Sequence, residues 1–460
     1  MSVRLGPSAL DLETLQIRTP RPSRRIDLHS IAFWLCCAYV VSQVYMVPVW
    51  LVGPSWSVWP SITDLVVALM FVCLFFVRRD RPNAGPEVRT IKRYLLVLAV
   101  CSVVSYLTLT LNLLGLKTVD VFSDKGQYFG LYQLYRFGQF LTVFWLVTRI
   151  DLDARRKVWL RRCIAFTFWA SSASVLANYF GLIDTPMLAP QIPKDLGVAG
   201  PWAFYSLGVV GRPVGGISFH HAYPTVQLLV LSATYLCFLA AECVWLPSAI
   251  LTCLWGCGLV SGSRAGFVAV CLFVAIVVLT RPRRLLALTV VVVFGALAWV
   301  YASADFASTL APALDRQKSI TTSYDEDGLA GRVEIWSDRV ALLNENPAFW
   351  LTGTGFGSAA ESGSNGHMLY LHITLEAGLV GCVIFLVFFQ RVGVFLWRAA
   401  ANGRIMCYAT VALLVSAVSQ ETFYPVPALG HFCGMYLFSA AAILSTNRRV
   451  SHSRDELWKI

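Results

Sequence analysis

Residues 245–280 read WLPSAILTCLWGCGLVSGSRAGFVAVCLFVAIVVLT, and this stretch decides the fold class. It holds two apolar runs, 245–261 and 265–280, joined by the turn Ser261-Gly262-Ser263-Arg264. A helix needs about 20 mostly apolar residues to cross a bilayer, with a lower limit of about 17. Arg264 is the one charged residue in the stretch, and basic residues return only at Arg281-Pro282-Arg283-Arg284. Two membrane-crossing helices with a tight polar connection between them are the expected structure.

The same pattern extends both ways along the chain. Comparable runs lie at about 30–52, 61–77, 94–115, 128–148, 163–182, 222–241, 285–302, 368–390, 405–420 and 428–445, so about twelve spans are expected. Of the 460 residues, 57% are hydrophobic and 14% charged, against about 25% charged in soluble domains. The mean hydropathy is +0.63. This excludes a disordered chain, a secreted disulfide scaffold and an ordinary cytosolic enzyme. The expected fold is all-α, a polytopic transmembrane helix bundle. The first run follows a basic stretch, is too long for a signal h-region and has no small-residue cleavage site after it, so it reads as a span. The 13 cysteines fall mainly inside apolar runs and form no CxxC pair, which supports neither a zinc site nor a disulfide framework.

The net charge of +11 does not point to nucleic acid, because the basic residues cluster in short segments between runs. With both termini cytoplasmic, 27 of the 37 Lys and Arg residues fall on the inner side. The expected division is a cytoplasmic tail 1–29, a transmembrane bundle 30–302, a large periplasmic loop 303–366, further spans within 367–445 and a cytoplasmic tail 446–460. A connection as long as 303–366 is usually functional. Within it, Arg332 to Asn344 reads as a helix with Val333, Trp336, Val340 and Leu343 on one stripe. Asn346-Pro347 ends that helix, and the Gly-rich turn Gly353-Thr354-Gly355-Phe356-Gly357 follows.

The basic residues that break the positive-inside pattern are the candidates for chemistry. Arg264 reads either as an anion site, since guanidinium binds phosphate bidentately, or as an arginine snorkelling to headgroups. Arg212, in Gly211-Arg212-Pro213-Val214-Gly215-Gly216, reads alone as a solvated turn residue. Of the neighbouring His220 and His221, at most one can face a site. Arg332 and Arg339 are two turns apart on one face of the loop helix, and Arg339 is expected to be solvated. His367 stands where water and substrate reach it and suits proton transfer near neutral pH, whereas His372 lies deeper and is expected to pack. Arg136, inside an apolar run, should face the bundle interior, paired with Glu376 or Asp64 or touching a lipid phosphate. Asp151-Leu152-Asp153 resembles a metal–nucleotide-sugar motif but has no domain to hold a nucleotide. Asp325-Glu326-Asp327 reads as a solvated loop tip. There is no P-loop, HExxH or dinucleotide fingerprint.

In their order, these features resemble the O-antigen ligase and O-antigen (surface polysaccharide) polymerase family. The resemblance rests on Gly211-Arg212-Pro213 with His220 and His221, then Ser263-Arg264-Ala265-Gly266. Gly331-Arg332 with Trp336 and the turn Gly353 to Gly357 come next, and His367-Met368-Leu369-Tyr370-Leu371 and Glu376-Ala377-Gly378-Leu379-Val380-Gly381 close it. It covers about Leu207 to Phe388 and departs from the family at Met368, where Asn is usual. The resemblance implies a multi-span glycosyltransferase of the bacterial inner membrane, active at the periplasmic face on undecaprenyl-diphosphate-linked oligosaccharide. Arg212, Arg264 and Arg332 would hold the donor's diphosphate and stabilise the leaving group, and His367 would serve as base. Arg136, His221 and Arg339 are further candidates for substrate contact. The expected chemistry needs no metal and no cofactor. The acceptor is either a growing glycan, giving a polymerase, or lipid A–core, giving a ligase, and a chain-length regulator is a possible partner. The polymerase is the first expectation. A flippase or permease is the alternative from another class, disfavoured by the lack of an internal repeat and of charges near the midplane.

Overall fold

The computed structural model describes residues 27–45, 61–77, 85–111, 124–182, 223–239, 245–280, 288–290, 292–293, 295, 303–322, 332–358, 368–399, 401–419, 423–424 and 432–446. Among these residues the chain is helical, with no strand. The helices are α1 (Leu28–Ser42), α2 (Ile62–Phe76), α3 (Pro86–Thr110), α4 (Asp124–Val147), α5 (Ala154–Tyr179), α6 (Tyr223–Phe238), α7 (Trp245–Val260), α8 (Arg264–Leu279), α9 (Ala304–Thr322), α10 (Arg332–Glu345), α11 (Pro347–Thr352), α12 (Leu369–Ala399), α13 (Ala401–Ser416) and α14 (Phe432–Thr446).

Eleven of the expected runs coincide with helices, but their ends move; the run 285–302 lies mostly outside the described residues. α3, α5 and α12 continue into the basic segments at Pro86, Ala154 and Ala399. Hydropathy marks only where a helix is apolar, while backbone bonding continues wherever Lys and Arg keep their charged tips in water. Polar caps set several starts. The Asp27 carboxylate accepts from the His29 N–H, Asp153 accepts from the Arg156 N–H, and Ser61 and Asp64 form a reciprocal capping box. Asp153 is thus a helix cap. The Asp325–Asp327 stretch lies outside the described residues.

One apolar core joins the bundle, from Phe33 and Tyr39 on α1 through Phe144 and Phe168 to Phe389 and Tyr436. α4 packs on α2, α3 and α14, and α13 packs on α6, α8 and α12. Phe75, Phe76, Leu96, Val104, Phe166, Leu279 and Val383 are equally apolar but exposed. A bundle apolar inside and outside is the pattern of helices solvated by lipid. α3 and α12 are long and apolar enough to cross a membrane, and α1, α2, α6, α7, α8, α13 and α14 contain shorter apolar helices.

The two ends of the bundle differ. At one end Arg149 donates to the carbonyl oxygens of Leu74 (2.6 Å) and Val77 (3.2 Å), at the negative end of α2. Arg156 bonds Ser30 Oγ there at 3.2 Å, and Lys92 lies over the Trp145 ring. The opposite end carries α9, α10 and α11. α9 was not anticipated, although Leu310, Ala313, Leu314 and Gln317 have helical spacing. Its Gln317 amide donates to the Leu259 carbonyl at 3.2 Å, and Tyr179 donates to the Thr309 carbonyl at 2.6 Å, fastening α9 to the ends of α7 and α5.

α12 cannot be straight. Its Leu369 N–H bonds the Ala417 carbonyl at 2.9 Å, just beyond α13. A straight helix from 369 to 399 would run about 45 Å, whereas α13 returns only about 24 Å. The difference is absorbed at Gly378, whose φ of 70° and ψ of 179° break the helix. The second half, 379–399, is then about 31 Å long, which matches the hydrocarbon thickness. The first half, 369–377, stays at the loop-bearing end.

Candidate functional site

The break in α12 releases two backbone carbonyls that a continuous helix would bond internally. The Gly-rich turn after α11 takes them both. Thr354 donates its N–H (2.6 Å) and its hydroxyl (2.8 Å) to the Leu375 carbonyl. The Gly355 N–H (3.1 Å) and the Ser105 hydroxyl (2.6 Å) donate to the Glu376 carbonyl. The approach is so close that side chains have no room. A Cβ on Gly378 would stand 2.0 Å from the Leu351 carbonyl oxygen, and one on Gly353 2.4 Å from the Glu376 carbonyl carbon. Both glycines have positive φ. Gly378→Ala therefore adds a left-handed residue, costing about 1–2 kcal/mol, to a clash with backbone. The expected result is loss of the monodisperse species in detergent size-exclusion chromatography, and a wild-type profile would show that the turn can move away.

Glu376 sits in this break with no exposed surface. Three donors converge on its carboxylate: the Gly357 N–H at 3.0 Å, the Gln133 amide at 3.5 Å and the Tyr424 hydroxyl. The His372 Nε2 stands 3.4 Å away, one turn earlier on α12, and its ring packs 4.7 Å from Tyr424. His372 is fully buried, as expected for the deeper histidine.

Arg339 is 6% exposed, and this corrects the solvated placement expected for it. Burial holds its guanidinium below its usual pKa, while the charges of Asp338 and Glu376 act in the opposite direction. The expected stripe on α10 is corrected too. Val333 and Val340 are exposed, and the buried side consists of Arg339, Leu342 and Leu343. α10 is therefore turned so that a charged residue, not the valines, faces α12. The helix does end at Asn346-Pro347, and the same pair starts α11, with Asn346 accepting the Ala348 N–H at 3.0 Å.

Arg136 is buried and paired with Asp64, Nη1 to Oδ1 at 2.6 Å. Gln139 also bonds Asp64 at 2.7 Å, and Arg136 further donates to Gln139 and to the Tyr132 hydroxyl. Of the readings open for Arg136, the structure gives the ion pair and places Asp64, not Glu376, as the partner. This network encloses the Arg136 side chain between α2 and α4.

The turn before α8 is equally well built. Gly262 has a φ of 72°, Ser263 Oγ accepts the Gly266 N–H at 3.1 Å, and Ser261 Oγ accepts from Thr225 Oγ1 at 2.6 Å. A Cβ on Gly266 would meet Ser263 Oγ at 2.8 Å and the Thr225 Cβ at 2.9 Å, so α6 and α8 touch at this point. Arg264, half-buried, begins α8, and Arg332 begins α10. A cation at a helix N-terminus opposes the helix dipole, so neither arginine stabilises its own helix there. Guanidinium and helix N-terminus together favour an anion.

A row of separate polar contacts lies between these elements across the loop-bearing end. From the Arg264 turn it runs through Ser261 to Thr225 on α6. Two residues on, the Gln227 amide donates to the Gln43 carbonyl at 2.6 Å. Adjacent Ser42 bonds Thr63 at 3.0 Å, next to Asp64, which holds Arg136. One turn away on α4, Gln133 reaches Glu376. Buried polar groups are costly among apolar helices, and these are held by hydrogen bonds. Glu376 and Tyr424 were not among the site residues expected from sequence. The signal for Glu376 was a carboxylate inside an apolar run. No comparable signal marked Tyr424. Arg212, His220, His221 and His367 lie outside the described residues. Among the described residues, no group of three or more His, Cys, Asp or Glu side chains is placed to hold a metal ion.

Residues 249–386 match the family model described as O-antigen ligase. That segment is similar to the O-antigen ligase family. It includes the Arg264 turn, α9 to α11, the Gly-rich turn and the Glu376 break, and so most of the loop-bearing end. It leaves the Arg212 segment, Arg136 and Tyr424 outside. The matched segment is similar to a family of glycan-transferring enzymes of bacterial membranes, in agreement with the apolar bundle. No curated protein matches the chain.

Proposed function

We propose that this protein transfers a glycan from an undecaprenyl-diphosphate-linked donor at the loop-bearing end of the bundle, and that it polymerises repeat units of a surface polysaccharide. The observation that carries this reading is that the Arg264 turn and the Glu376 break, both inside the matched residues 249–386, sit at one end of the bundle with buried polar residues of α1, α2, α4 and α6 between them. In this reading about twelve helices span the inner membrane, both termini are cytoplasmic, and the loop-bearing end is periplasmic. The basic end then follows the positive-inside rule.

Arg264, with Arg332 and Arg212, would grip the diphosphate and stabilise the charge that grows on it as the glycosidic bond breaks. His367 would take the proton of the acceptor hydroxyl as that oxygen attacks the sugar. Undecaprenyl diphosphate leaves. No metal is required, because the guanidinium groups supply the positive charge. Glu376 and Arg339 act as positioning residues that hold α10 and the Gly-rich turn against the first half of α12. Arg136, locked to Asp64, positions α4 from beneath.

A ligase remains the second reading, favoured by the description of the matching family. The acceptor separates the two. Purified protein given an undecaprenyl-diphosphate oligosaccharide alone should yield a ladder of lengthened glycans. A product that appears only with lipid A–core would make it a ligase instead. Within either reading, His367→Ala should lose far more turnover per folded molecule than His372→Ala. The reverse order would move the base one to two turns inward along α12.

A further inference from the structure

α12 and α13 form a hairpin that closes at the basic end through Gly403, where a Cβ would lie 2.2 Å from the Leu396 carbonyl oxygen. Beyond that closure the two helices leave a cavity of about 480 Å³. Leu386, Phe389 and Trp397 line it from α12, Val411 and Leu414 line it from α13, and Arg398 stands at its basic end. Gly393 brings no side chain to its midpoint. From Leu386 to Arg398 the helix rises about 18 Å, close to the roughly 15 Å depth of one leaflet's hydrocarbon.

The charge is one-sided. Residues 386–414 contain three arginines, Arg391, Arg398 and Arg404, and no acidic residue. Arg404 lies 5.2 Å from the centre of the Trp397 ring, and Trp397 meets Tyr408 edge-on at 5.9 Å. Tryptophan and tyrosine beside arginine, at the mouth of an apolar groove one leaflet deep, mark the level of lipid headgroups.

We propose that this groove binds an anionic phospholipid of the leaflet at the basic end, its phosphate held by Arg398 and Arg404 and an acyl chain seated against Gly393. The site lies at the opposite end from the Arg264 turn and is independent of glycan transfer.

The test is native mass spectrometry of the full-length protein in detergent, titrated with phosphatidylglycerol or with phosphatidylcholine carrying the same acyl chains. Phosphatidylglycerol should be retained preferentially, and Arg398→Ala and Arg404→Ala should each weaken it about fivefold. Val411→Trp, at a position 45% exposed, fills the groove without touching the core and should remove the bound lipid while the melting temperature is unchanged. Equal retention of the two lipids would overturn the proposal. So would binding that survives Val411→Trp, or displacement of phosphatidylglycerol by an equimolar polyprenyl phosphate.

Discussion

Glu376→Ala should destabilise the protein more than any other single change at the loop-bearing end. It removes the acceptor for the Gly357 N–H, the Gln133 amide and the Tyr424 hydroxyl, and takes a counter-charge from the buried Arg339. Each orphaned buried donor costs about 1–3 kcal/mol. These effects overlap, so a loss of about 3–5 kcal/mol is expected, read as a lowered melting temperature and yield in detergent. Glu376→Gln keeps the shape and one acceptor oxygen and should lose less. Wild-type melting of Glu376→Ala would mean that the backbone bonds to Leu375 and Glu376 hold the turn without the carboxylate.

Arg264→Ala should leave the fold intact and reduce transfer by about 10²–10³-fold, the scale of removing one donor from a developing anion. The fold should survive because the turn is held by Ser261, Ser263 and Thr225, not by the arginine. Arg264→Lys should also be poor, since an ammonium cannot make the two-pronged contact of guanidinium. The check is turnover per folded molecule, with membrane content and melting temperature measured alongside. Full activity for Lys would reduce Arg264 to charge compensation, and full activity for Ala would remove it from the site.

The apolar helices were legible because a long run of apolar residues stands out whatever it packs against. Their ends were less so, as α3 and α5 show, because helix bonding continues past the apolar run. Arg136 was readable as a buried charge. That Asp64 rather than Glu376 pairs with it depends on α2 lying beside α4, which no local pattern encodes. The same holds for Tyr424, brought to Glu376 by packing alone. The orientation of α10 was misread because two valines suggested the buried side, whereas Arg339, Leu342 and Leu343 are the residues turned inward. The Gly-rich turn was visible as a motif. Its purpose, closing the broken end of α12, emerged only with Gly378 at a φ of 70°.

The most direct measurement uses the purified protein alone in proteoliposomes containing an undecaprenyl-diphosphate oligosaccharide. Free undecaprenyl diphosphate and glycan length are followed together. Transfer at the loop-bearing end predicts release of undecaprenyl diphosphate in step with glycan lengthening, or with capture by added lipid A–core, and neither in Arg264→Ala. Movement of intact donor between leaflets without cleavage of the sugar–phosphate bond would contradict the account and identify a transporter.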